Sequence, residues 1–175
     1  MSLRPKTRLT IAEYLEMELA SEEKHEFYDG EIYAMGGASF SHALVAGNVA
    51  RQLGAQLSRK PCRVLSSDLR VKVSRSGLYT YPDVVVVCGV PSLEQPGDTL
   101  SNPTLIVEVL SESTERKDRG WKFEQYRTIE SLVEYLLVSQ DTPRLELFSR
   151  EPDGRWLSLI HISEPTRLRR ISYAV

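Results

Sequence analysis

Asp83 stands near the head of one apolar run, YPDVVVV, and Glu108 in the middle of another, TLIVEVLS. A carboxylate in such surroundings is costly to desolvate unless it is paired, protonated or bound to a cation. Two of them on neighbouring strands could converge at one end of a sheet. A hard divalent ion takes oxygen ligands, and Asp83, Glu108 and the backbone carbonyl of Val109 would supply part of its shell. Waters and a substrate phosphate would complete it, giving metal-assisted hydrolysis in which the ion activates a water and neutralises developing charge. Lys122, in the charged run SESTERKDRGWKFEQYR, is the candidate helper. From a helix packed over the strand ends its ammonium could reach the attacking water or a phosphate oxygen. Lys117 and Arg119 are alternatives. Lys122 is preferred because Asp118, Lys122 and Tyr126 share one helix face at spacing four. Each residue also has a plainer role: a turn residue after Pro82 for Asp83, a buried ion pair for Glu108, an exposed helix pair for Asp118 and Lys122.

The surrounding elements follow from periodicity and turn chemistry. Thr10 with Glu13 is a capping box for a short helix over TIAEYLEMELAS. Asp29-Gly30 between EFY and EIYAM marks a hairpin and puts Glu31 at the start of its second strand. Residues 39–58 predict a helix with a broad apolar face, in which Gly47 and Gly54 would permit close packing against a sheet. Strands follow over CRVLSSDLRVKV and LYTYPDVVVVC, the second buried on both faces where alternation stops. GVPSLEQPGDTLSNP reads as loop. TLIVEVL is a central strand, and a helix runs from Thr114 to about Thr128. LVEYLLVS reads as a further central strand, PRLELFSR and GRWLSLIHI form an antiparallel hairpin, and TRLRRISYAV is expected to be an edge strand. The order predicts an α/β domain spanning 1–175: a mixed β-sheet core flanked by helices, with an N-terminal helix and hairpin and a C-terminal antiparallel meander.

Bulk properties set limits on function. The net charge of −2 does not itself argue for nucleic acid, but its distribution is uneven. Residues 1–31 carry eight acidic and four basic side chains, and residues 32–75 seven basic and one acidic, Asp68. A basic surface beside an acidic site suits a polyanion. Cys62 and Cys88 match neither a zinc pattern nor a disulfide framework, and the valines around Cys88 predict a buried, reduced thiol. No apolar stretch reaches membrane-spanning length and the start lacks a signal-peptide run, so a cytoplasmic protein without membrane association is expected. The absence of GxGxxG and phosphate-loop motifs disfavours a nucleotide cofactor. Nothing supports a Ser/Cys–His acyl-transfer site, and no aromatic-rich setting supports a glycosidase.

Pro82-Asp83 and Glu108-Val109-Leu110 resemble the two halves of the PD-(D/E)xK nuclease motif, the signature of the restriction-endonuclease-like fold. EKHEFYDGEIYAMGGAS, His42, YPDVVVV and EVLSESTERKDRGWKFEQYR extend the likeness over almost the whole chain. They are similar to a restriction-endonuclease-like family abundant in cyanobacteria, long a domain of unknown function. The resemblance implies a DNA endonuclease core using Mg²⁺ or Mn²⁺, with homodimers common in related folds. The motif lysine two residues after the glutamate is Leu110 here. In some branches it has migrated to the following helix, where Lys122 stands. The resemblance also moves Glu31 toward the metal shell. His42 could donate to a phosphate or orient a carboxylate. Asp68 is expected behind the ligands or in a turn, and the Tyr126 hydroxyl could order Lys122. The other functions kept open are a catalytically degenerate nucleic-acid-binding module of the same fold and a metal-dependent phosphoesterase acting on a smaller substrate.

Overall fold

The computed structural model describes residues 8–96 and 99–162. Along the chain run α1 (Ile11–Ala20), β1 (His25–Tyr28), β2 (Glu31–Ala34), α2 (Phe40–Leu57), β3 (Cys62–Ser66), β4 (Val71–Val73), β5 (Leu78–Thr80) and β6 (Val84–Cys88). Then come β7 (Leu93–Glu94), β8 (Thr99–Leu100), β9 (Leu105–Leu110), a helical segment, β10 (Glu134–Ser139), β11 (Arg144–Arg150) and β12 (Trp156–Ile162). The strands form two six-stranded sheets, in the orders β12-β11-β10-β9-β6-β3 and β2-β1-β5-β4-β8-β7. β9 and β10 run parallel at the centre of the first sheet, while its remaining neighbours are antiparallel. This mixed core, with an N-terminal helix and hairpin and a C-terminal meander, is the restriction-endonuclease-like topology.

Side-chain alternation divides the core at the first sheet. Val84 and Val86 of β6 and Leu105, Val107 and Val109 of β9 pack with Leu53 and Leu57 of α2. Val85, Val87, Ile106 and Leu110 face the other way, toward Val71, Val73, Leu78 and Leu100 of the second sheet. Glu108 shares that second face by its parity with Ile106 and Leu110. Its carboxylate therefore enters the space between the sheets. The uninterrupted-strand reading of LYTYPDVVVVC divides in two: β5 belongs to one sheet and β6 to the other. Asp83 lies in the short passage between them, immediately before β6.

The capping box at Thr10 forms, with the Glu13 N–H donating to Thr10 Oγ1 at 3.2 Å and the Thr10 N–H to Glu13 at 2.7 Å. Asp29 and Gly30 take φ values of 48° and 80°, the left-handed pair that a tight hairpin turn requires. Three expectations are corrected. Cys62 and Cys88 are joined as a disulfide, because β3–β6 register sets them directly opposite with Cα atoms 4.0 Å apart. A separation of 26 residues does not show that register. Gly47 and Gly54 do not admit a close neighbour, since a Cβ built at either meets nothing within 4 Å. The 89–103 loop contains β7 and β8, two short strands that extend the second sheet. The edge strand expected over TRLRRISYAV lies outside the described residues.

Candidate active site

The helical segment after β9 is not a continuous α-helix. It comprises α3 (Glu115–Lys117), a π-helical turn over Asp118–Lys122, and α4 (Phe123–Tyr126). π-turns inside helices are rare and frequently occur at functional sites. This one carries Asp118 and Lys122, both buried. Aromatic packing fixes the segment: Trp121 meets Tyr28 edge-on, and Phe123 stacks on Tyr135 at 5.5 Å between centroids.

Lys122 is only 7% exposed. Its ammonium donates to Glu108 Oε1 at 3.0 Å, lies 3.0 Å from Glu26 Oε1 and 3.7 Å from Asp118 Oδ1. The Tyr126 hydroxyl donates to the same Glu108 oxygen at 2.8 Å. Asp83 is held separately: its Oδ2 accepts from the Val109 N–H at 2.7 Å and lies 3.3 Å from His42 Nε2. Ser39 caps α2 through its hydroxyl, which accepts from the His42 N–H and so fixes the first turn that carries His42.

Charge is unequally settled among these groups. Burial pulls the Lys122 ammonium down, but Glu108, Glu26 and Asp118 together hold it well above the ordinary lysine value. Burial also opposes the Glu26 carboxylate, yet Lys122, Lys117 and Thr80 more than offset it and bring Glu26 down to about 2. Glu108 is raised, chiefly by burial and also by Asp118, despite Lys122 and Tyr126. Asp83 is pushed up to about 6 by burial and by the nearby charge of Glu108. Asp118 rises for the same first reason. Glu26 is thus the settled anion of the Lys122 pair, while Asp83 and Glu108 resist ionisation and repel one another.

These groups open on a cleft of about 1060 Å³. Its lining includes Asp83, Glu108, Val109, Asp118, Lys122 and His42, and contains six carboxylates against three lysines. An excess of negative charge at a buried floor is the setting that a cation relieves. Among the described residues, no group of three or more His, Cys, Asp or Glu side chains is arranged to hold a metal. The donor set does fit Mg²⁺, which takes one or two carboxylates and keeps several waters or substrate oxygens. Asp83 and Glu108 are the two candidate carboxylates; Glu108 meets Lys122 through Oε1 alone, beside Glu26 at the same distance and Asp118 at 3.7 Å.

The structure gathers Asp83, Glu108, Val109, Asp118, Lys122 and His42 around one cleft, and Tyr126 joins them through its bond to Glu108. It does not bring Glu31 or Asp68 there. Glu31 pairs with Tyr28 beside the hairpin turn, and its carboxylate accepts from the Tyr33 hydroxyl. Asp68 is largely exposed and binds Lys24, which itself lines the cleft. The residue missed from sequence is Glu26. It shares a strand face with Tyr28, lies farther from the turn than Glu31, and accepts from Thr80 of β5 at 2.5 Å and Lys117 at 2.6 Å. The available signal was period-2 alternation: Phe27 faces Tyr14 and Tyr79, which sends Glu26 to the opposite side.

Comparisons with known proteins agree with this architecture. A family model, Uma2, described as "Putative restriction endonuclease", matches residues 11–170. Two uncharacterized proteins of Synechocystis sp. (strain ATCC 27184 / PCC 6803 / Kazusa), slr1290 and sll1609, are each 39% identical to the chain. The first match covers 89% of this chain and 81% of the relative, the second 85% of each. The crystal structure of a "putative nuclease belonging to DUF820" from Anabaena variabilis ATCC 29413 aligns with a TM-score of 0.70 at 14% identity. That alignment covers 94% of this chain and 89% of the other, and shows a shared fold.

Proposed function

The chain belongs to the Uma2 family, within the PD-(D/E)xK-like superfamily, and from that premise we propose that it is a divalent-metal-dependent endonuclease hydrolysing DNA phosphodiester bonds. The observation that carries this reading is the Asp83–Glu108 pair: two carboxyls raised by burial, with the charge of Glu108 adding to the rise at Asp83, on the floor of a cleft. Asp83 and Glu108 would hold Mg²⁺ or Mn²⁺, with the Val109 carbonyl as a further donor. When bound, the ion supplies charge neutralisation at the phosphate and a water of lowered pKa. The chain's own groups do the rest. The Val109 N–H and His42 fix Asp83, while Lys122 and Tyr126 fix one oxygen of Glu108. Lys117, at the mouth, is placed to meet a phosphate oxygen.

One observation favours a second reading, a non-cleaving nucleic-acid-binding module. Lys122 is surrounded by three carboxylates, an arrangement that suits a structural ion cluster. Calorimetric titration with Mg²⁺ and Mn²⁺, run beside plasmid cleavage by wild type and Glu108→Ala, separates the two. The nuclease reading expects metal binding and cleavage that fall together in the variant. Undiminished cleavage by Glu108→Ala overturns the assigned site. DNA binding without cleavage under any metal selects the second reading.

A further inference from the structure

Two side chains at the cleft mouth, Tyr33 and Lys117, bond to neither Asp83 nor Glu108. Tyr33 of β2 is 45% exposed, although it is a large aromatic residue, and it lines the cleft. Register places it directly opposite Glu26, on the same face of the hairpin. Its hydroxyl donates at 3.0 Å to Oε2 of Glu31, a residue that does not line the cleft. Beside it, the Lys117 ammonium lies 5.8 Å from the Tyr33 ring centroid and 5.5 Å from that of Trp121. Lys117 is 42% exposed, against 8% for the Lys122 side chain, and donates to Glu26 Oε2 at 2.6 Å. Exposed rings that stack bases, set among cations that meet the phosphates, are how proteins hold single-stranded nucleic acid.

Depth adds a second constraint. Glu108 is 4% exposed, so the reacting phosphate must descend to the floor of a cleft of about 1060 Å³. That space is on the scale of a small-molecule pocket. A carboxylate this buried is reached more readily by an unpaired nucleotide, since extruding one from a duplex costs a few kcal/mol in unstacking and unpairing.

Resting on the nuclease reading above, we propose that Tyr33 and Lys117 form a nucleotide subsite at the cleft mouth, where the ring stacks an unpaired base and the ammonium contacts the adjoining phosphate, making single strands and unpaired ends the favoured substrates. The test is fluorescence anisotropy with a short labelled oligothymidine and its matching duplex, in Ca²⁺, for wild type, Tyr33→Ala, Tyr33→Phe and Lys117→Ala. Circular dichroism confirms that each variant is folded. Wild type is expected to bind the single strand more tightly than the duplex. Tyr33→Ala weakens single-strand binding roughly 5- to 150-fold, while Tyr33→Phe, which keeps the ring, binds as wild type does. Lys117→Ala lowers the salt dependence of single-strand binding by about 0.7 in log–log slope. Wild type that binds DNA, with Tyr33→Ala unchanged or Tyr33→Phe equally weakened, overturns the subsite and leaves the nuclease reading standing. Wild type that binds neither oligonucleotide overturns both.

Discussion

Mild acid should stabilise the metal-free protein before stronger acid unfolds it. Asp83 carries the effect. Its carboxyl, ordinarily near 3.8, is held up to about 6 by burial first and by the charge of Glu108 second. Such a group binds more protons folded than unfolded. Its contribution is therefore fully present below the unfolded value and is lost as pH rises through the folded one. For Asp83 the window runs from about pH 4 to about pH 6, and the difference corresponds to about 3 kcal/mol. The side chain is 18% exposed, so solvent screening removes little of this. Glu108 and Asp118 are raised as well and act with the same sign.

Glu26 works in the opposite direction. Its carboxyl is lowered from 4.5 to about 2, so its contribution is present above the unfolded value and is lost as pH falls through the folded one. The two windows scarcely overlap, which puts the stability maximum of the metal-free protein near pH 4 to 5. Urea unfolding followed by circular dichroism, in chelator, checks this for wild type and Asp83→Asn. Wild type should gain about 3 kcal/mol between neutrality and the maximum, equivalent to about 6–12 °C in melting temperature for a chain of this size. Asp83→Asn, which cannot titrate there, should lose most of that gain. On the metal reading proposed above, saturating Mg²⁺ would bind the ionised carboxylates and stabilise the folded state by mass action, lifting the neutral end and flattening the profile. A wild-type profile in chelator that is flat or rising with pH across this window refutes the argument. A slope in Asp83→Asn equal to that of wild type refutes the assignment to Asp83.

Two further substitutions probe the supports of the site. Lys122→Met leaves Glu26, Glu108 and Asp118 without their shared cation, and is expected to cost about 3–5 kcal/mol at pH 8 in chelator. The same urea measurement should show the deficit shrinking on acidification, as the carboxyls take up protons; a constant deficit would point to lost packing instead. Gly47→Ala on α2, where the added methyl meets nothing within 4 Å, should raise stability by about 0.5–1 kcal/mol, and a loss of stability would show that the glycine has a packing role.

The legible parts of the fold were those set by local chemistry. Thr10 with Glu13, Asp29-Gly30 and the apolar runs around Asp83 and Glu108 each contain their own instruction, and each formed the expected element. What escaped depends on register between distant segments. The Cys62–Cys88 bond needs β3 and β6 aligned residue by residue. The choice of Glu26 over Glu31 needs the hairpin seated against β5, where the short Thr80 contact points Glu26 inward. The π-turn left no local mark, because an i→i+5 turn and an α-turn draw on the same side chains. Spacing four nevertheless grouped Asp118, Lys122 and Tyr126 correctly, since all three are buried about Glu108.

The position of the lysine follows from this geometry. Leu110 occupies the motif's usual lysine position and shares a strand face with Glu108, but it is buried among Val85, Val87, Ile106 and Leu137 in the larger apolar cluster. An ammonium there would be desolvated among apolar side chains, and would lose its proton or disrupt the packing. Lys122 enters the same space from the π-turn and meets three carboxylates. Moving the cation from strand to helix therefore needs an additional acid to settle it, and Glu26, held down to about 2 between Lys117 and Lys122, meets that need. The substitution of Leu at 110, the presence of Glu26 and the buried Lys122 are on this argument one linked arrangement. Leu110→Lys, with Lys122 left in place, should therefore destabilise the fold in the same urea measurement, and unchanged stability would refute the argument.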